Sequence, residues 1–198
     1  VKAAVDAMTP NLPEGTRIVV TSDDAVFIQG ALHEVELALG LSAIIVVVVL
    51  YLFLRDWRAT LIPAITMPVA LIGTIVAIYM VGFSVNILTL LAIVLATGLV
   101  VDDAIVEVEN IVRHIHMGKS PWRAALEAAD EIGLAVIGTT FSIIAVFVPV
   151  AFMGGIPGQF FKQFGMTVSV AVFFSLLVAR LITPMMCAYF LGVPPHSE

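Results

Sequence analysis

Five long apolar runs decide what this sequence can fold into. They fall at residues 26–54, 59–81, 86–114, 122–152 and 160–191, and each holds the roughly 20 apolar residues needed to cross about 30 Å of hydrocarbon. The runs are continuous and do not alternate with polar residues, so they predict helices and not the strands of a barrel. Composition agrees: 61% of the residues are hydrophobic and 12% charged, against roughly 45–50% and 25% in a soluble domain. The expected fold class is an all-α integral membrane bundle of five transmembrane helices. Cys187 is the single cysteine, which rules out an internal disulfide or a CxxC site.

Residues 1–24 read differently. "VKAAVDAM" is helix-like, "TPNLPEG" a turn and "TRIVVTSDD" a short β-branched run. Such a piece is too small for its own core and is expected to be an α/β remnant of a larger soluble domain. The opening, without Met or a signal-peptide pattern, is expected for a segment of a longer polypeptide.

The connections are short: "RDWR", "GFSV", "HMGKSP" and "MGGIPGQ". Ser120 and Pro121 form a cap and first-turn pair for the fourth helix. Arg55, Arg58, Arg113, Lys119 and Arg123 all fall in or beside the first and third connections. The positive-inside rule therefore predicts a cytoplasmic side for these loops and for the C-terminus, with the N-terminal piece outside. The net charge of −6 adds little to this placement.

The third run carries two adjacent acids, Asp102 and Asp103, in "GLVVDDAIVEVEN". Counting about 1.5 Å per residue from Ile87 puts Asp102 roughly 22 Å along the helix, inside the bilayer. Asp102 aligns with Glu109, and Asp103 with Glu107 and Asn110, which predicts a polar wedge running towards the cytoplasm. The opposite side, through Leu95, Leu99 and Val106, is expected to stay apolar. Ala92 and Ala96 would let another helix approach closely. Desolvation and mutual repulsion make such a pair a coupled proton acceptor, the chemistry of a transporter relay. A structural ion pair is the other reading, but Arg180 is the single cation within an apolar run and is expected to snorkel.

The same stretch, extended to "GLVVDDAIVEVENI", closely resembles the fourth transmembrane helix of resistance–nodulation–division (RND) transporters. "LYLFLRDWRATLIPAITMPVALIGT" resembles the second and third helices, "VFVPVAFMGG" the fifth and "QFGMTVSVAVFFSLLVARLITPMMCA" the sixth. The likeness covers nearly all of the chain, and the DDA form is that of the hydrophobe/amphiphile exporters. It implies a bacterial inner-membrane proton antiporter for multidrug efflux, a secondary transporter and not an enzyme, with protons as coupling ion and no cofactor or metal. Residues 1–24 would end a periplasmic porter domain, and this chain would supply helices two to six of twelve. Implied partners are the lipid bilayer, the second half of the polypeptide with the cationic partner of the Asp pair, a homotrimer, a periplasmic adaptor and an outer-membrane channel. No nucleic acid is implied. Asp102 and Asp103 would be the relay residues.

Glu107 departs from the commonest motif, which has an apolar residue there. Two readings fit: a wider cytoplasmic proton route shared with Glu109 and Asn110, or a snorkelling side chain, which is the expectation. Within the superfamily the cargo could instead be a lipid, a metal ion or a protein-export substrate. An intramembrane aspartyl protease would place its two acids on different helices, one in a GxGD-type motif, which this sequence does not do. Pro63, Pro68 and Pro149 are expected as static kinks. Trp57 and Trp122 are expected as interfacial anchors. His33, His114, His116 and His196 are too scattered for a metal site.

Overall fold

Five helices, each long and apolar enough to cross a membrane, make up a computed structural model that describes Val5, Pro13 and residues 24–192. They are α1 (Asp24–Leu54), α2 (Trp57–Met80), α3 (Ile87–His116), α4 (Pro121–Ala151) and α5 (Gly155–Leu177). The last spanning segment continues through a π-helical turn, Val178–Ile182, into α6 (Thr183–Phe190). No strand occurs among the described residues. The expected α/β remnant at residues 1–24 lies outside them, apart from Val5, Pro13 and Asp24.

Local sequence explains most helix ends. Asp56 caps α2, its side chain accepting from the Arg58 N–H at 2.9 Å. Asn86 and Thr89 cap α3 reciprocally: the Asn86 carboxamide accepts from Leu88 and Thr89, and Thr89 Oγ1 accepts from Asn86 N–H at 2.8 Å. Both α2 and α3 stop just before glycines of positive φ, Gly82 (84°) and Gly118 (88°), a conformation that costs glycine little. Pro121 opens α4 as expected, but Ser120 makes no side-chain cap there. One boundary differs clearly from expectation. The helix after "MGGIPGQ" already begins at Gly155, because Pro157 at an early helical position needs no N–H partner and helps the turn to close.

The bundle is arranged around α3, which touches all five other helical elements and the π-turn. Near the end that holds Arg58, His116 and Lys119, Ala59 and Ile62 of α2 pack with Val108, Ile111 and Ile115 of α3, Ala124 and Ala128 of α4, and Cys187 of α6. Towards the middle, Met67 and Ala70 meet Val100, Val101 and Val178. At the far end Ala92 packs on Val168 and Val172 of α5. Ala92 and Ala96 are fully buried, so the small pair does admit a close neighbour. The Arg55–Arg58 and Met117–Lys119 connections lie at one end of the bundle, since Asp56, Arg58, Ile115, His116 and Gly192 line a common hollow.

Candidate functional site in the third helix

The polar residues of α3 separate onto two faces. Asp103, Glu107 and Asn110, spaced four and three apart, turn into the bundle: Asp103 is half-buried, and Glu107 and Asn110 are buried. Asp102 and Glu109, seven apart, share an exposed stripe with Leu95 and Val106. The expectation that Leu95, Leu99 and Val106 lie opposite the acids is therefore corrected. Their spacing from Asp102 (−7, −3 and +4) puts them on the same face as Asp102.

Asp103 is held by α5. The Ser175 hydroxyl donates to its Oδ2 at 2.7 Å, with the Val100 carbonyl a longer alternative at 3.2 Å. Sequence reasoning missed Ser175, because nothing in a lone serine 72 residues away reports which helix it will face. Among the described residues no Lys, Arg or His lies within ion-pair distance of either aspartate.

Glu107 contradicts the snorkelling expectation. It is 0% exposed, and neither carboxylate oxygen has a hydrogen-bond partner among the described residues. It lies between Asp103 and Asn110 on the inward face, roughly 13–14 Å along the axis before the end of α3, and is covered on all sides. Arg180 does not snorkel either. The π-turn directs it across to α4, where Nη1 donates to the Ala129 carbonyl and the guanidinium lies against Gly133. A Cβ at position 133 would sit 2.7 Å from Arg180 Nη2, so glycine is what leaves room for this cation.

Towards the end of α3 the inward line joins a charged network. Asn110 Nδ2 donates to the Ala128 carbonyl (3.0 Å), and its Oδ1 accepts from Arg113 at 2.6 Å. Glu131 of α4 accepts from Arg113 (2.9 Å) and from His114 Nε2 (2.7 Å), while Lys119 donates to His114 Nδ1 (3.1 Å). Lys119 also pairs with Glu127 at 2.5 Å. His114 is thus buried within this network, whereas His116 is exposed. Among the described residues no cluster of His, Cys, Asp and Glu could hold a metal ion. Trp122 stacks edge-to-face on Tyr189, and Arg58 lies over Trp57, both at the same end of the bundle.

The sequence model of the AcrB/AcrD/AcrF family matches residues 1–198, the whole chain. The chain belongs to this family of RND proteins. Relatives within it include proteins named multidrug resistance protein MdtC. That of Cronobacter sakazakii is 45% identical over 198 residues, that of Pectobacterium atrosepticum 45% over 199, and that of Yersinia enterocolitica 44% over 198. Each match covers 100% of this chain and 19% of the relative, so the chain spans about a fifth of the length of these AcrB/AcrD/AcrF relatives. Family membership and the five spanning helices together make this a multi-pass membrane protein segment.

Proposed function

We propose that this chain is the membrane segment, from the N-terminal half, of a bacterial inner-membrane antiporter that uses protons to export hydrophobic and amphiphilic compounds. Asp102 and Asp103 are its relay carboxylates. The observation that carries this reading is the split of the two acids. Asp103 is tethered inside the bundle by Ser175, while Asp102 stands uncovered between Leu95 and Val106 on a stripe of the central helix that ends in Glu109. An acid at that depth cannot face lipid without a cost of a few kcal/mol, roughly 2.5–3.5 on insertion scales. The stripe calls for a covering partner that brings a cation, and the second half of the same polypeptide would supply it. A purely structural ion pair finds no support, since both acids lack a cation among the described residues.

The family and the printed names of the relatives favour multidrug efflux over lipid, metal or protein export as the activity. On the same grounds the full-length protein would be a transporter and not an enzyme. It would work as a homotrimer with a periplasmic adaptor and an outer-membrane channel, with the basic loops cytoplasmic. Protons are the coupling ion, and no other cofactor is invoked. The test expresses the full-length protein in cells lacking their own exporters, with an Asp102→Asn variant at matched membrane levels. Tolerance to dyes, detergents and amphiphilic antibiotics is expected to rise with the parent and to vanish in the variant. Equal protection by the two would remove Asp102 from the coupling mechanism, and protection against divalent metals alone would change the cargo.

A further inference from the structure

Glu107 is the one carboxylate fully enclosed among the described residues, and nothing donates a hydrogen bond to either of its oxygens. An ionised acid without a partner is not sustained in such a setting, so this arrangement suits the neutral, protonated acid. Its position is specific. Asp103 precedes it by four residues on the same face, which places the two side chains one above the other at about 5–6 Å between Cβ atoms. Asn110 follows by three and opens the network of Arg113, His114 and Glu131 at the helix end.

Asn110, three residues after Glu107 on the same face, and Arg180 of the π-turn hold the adjacent Ala128 and Ala129 carbonyls of α4, which brings the guanidinium to the side of α3 that carries Glu107. Asp103 of its own helix and the buried Cys187 thiol of α6 are the other titratable groups there. Among these Arg180 is the only cation. Its guanidinium is occupied by a single backbone carbonyl, Ala129, which leaves further N–H donors for a carboxylate. Single-turn π segments of this kind are frequent at functional sites, and here the turn carries Arg180.

We propose that Glu107 is a third proton-binding residue of the relay, one turn inside Asp103, and that Arg180 is the counter-charge that receives it when it ionises. The inference rests on the proton-relay reading of the aspartates. In the exchange an O–H bond breaks at Asp103 and one forms at Glu107, and no electron transfer is involved. With Glu107 protonated, Arg180 stays on the Ala129 carbonyl as seen here. With Glu107 ionised, the guanidinium turns towards the carboxylate and draws the π-turn with it, so α3 and α4 exchange the same cation.

The test uses the full-length protein reconstituted in phospholipid vesicles. Infrared difference spectra across a pH change should show the C=O stretch of a protonated buried carboxyl. This band should persist in an Asp102→Asn/Asp103→Asn double variant, disappear in Glu107→Gln, move to a different pH in Arg180→Gln and return in Arg180→Lys. The pH of half-maximal dye efflux should move by about one unit or more in Glu107→Gln. A band untouched by Glu107→Gln, or an efflux profile that superimposes on the parent's, overturns the proposal. If Glu107→Gln fails to accumulate, Glu107→Asp serves, since its shorter arm should displace both band and profile, and unchanged values again overturn it. Failure of the underlying reading looks different: Asp102→Asn would then retain gradient-driven efflux whatever Glu107 does.

Discussion

A single hydroxyl orients the inward aspartate. Ser175 is 2% exposed and offers its proton to Asp103 at 2.7 Å, and a hydrogen bond to a charged group contributes about 1.5–3 kcal/mol. Ser175→Ala should therefore lower gradient-driven efflux several-fold at unchanged membrane level. Ser169→Ala is the control, because Ser169 is also buried on α5 but bonds only to the Gly165 carbonyl of its own helix. Equal loss in both variants would assign the effect to packing. Residue-scale facts of this kind are the least legible in the sequence. The inward set Asp103, Glu107 and Asn110 follows from helical spacing alone, and the apolar stripe through Leu95 and Val106 does too, once its offsets from Asp102 are counted. Whether Glu107 reaches water depends on how far the helix end lies and on what covers it, which is tertiary information. The Ser175 contact and the reach of Arg180 to Ala129 depend on helices that meet 72 and 51 residues apart.

Helix existence, by contrast, is written in the apolar runs, and helix ends in Asp56, Asn86 and Pro121. The π-turn at Val178–Ile182 is not, since its residues read as ordinary helix and only packing against α4 shows where the extra residue goes. Close approach between α4 and α5 has a definite sequence cause. A Cβ at Gly165 would stand 2.7 Å from the Phe147 carbonyl oxygen and 3.1 Å from the Ala151 nitrogen, both backbone atoms that cannot swing aside. Gly165→Ala should separate the two helices at a cost of about 1–3 kcal/mol, typical of overpacking. A lower thermal midpoint of the purified protein would register it. Gly138→Ala on α4 meets nothing within 4 Å and should leave the midpoint equal or higher, by up to about 1 kcal/mol of helix propensity. If both variants melt alike, the contact at Gly165 does not limit stability.

For the molecule as a whole, the unanswered face is that of α3. It is the central helix of the bundle, in contact with every other described helical element, yet it keeps one stripe open along its length through Leu91, Leu95, Asp102, Val106 and Glu109. Spacings of three and four are those of a helix–helix seam. An acid in that seam makes a lipid-facing role unfavourable, so the stripe is expected to be covered by protein in the full-length molecule. Single cysteines in a background without other cysteines can decide this. With a lipid-dissolved thiol reagent, Leu134→Cys on α4 (85% exposed here) should label readily. Val106→Cys and Leu95→Cys, at positions 42% and 44% exposed in this segment alone, should react far more slowly in the complete protein. Leu134 is about twice as exposed as the other two positions here, so a difference in rate far beyond twofold is what marks cover by the remainder of the chain. Rapid labelling at Val106 would leave Asp102 facing hydrocarbon with no partner, and a relay that depends on a cation from the second half could not then be built on this face.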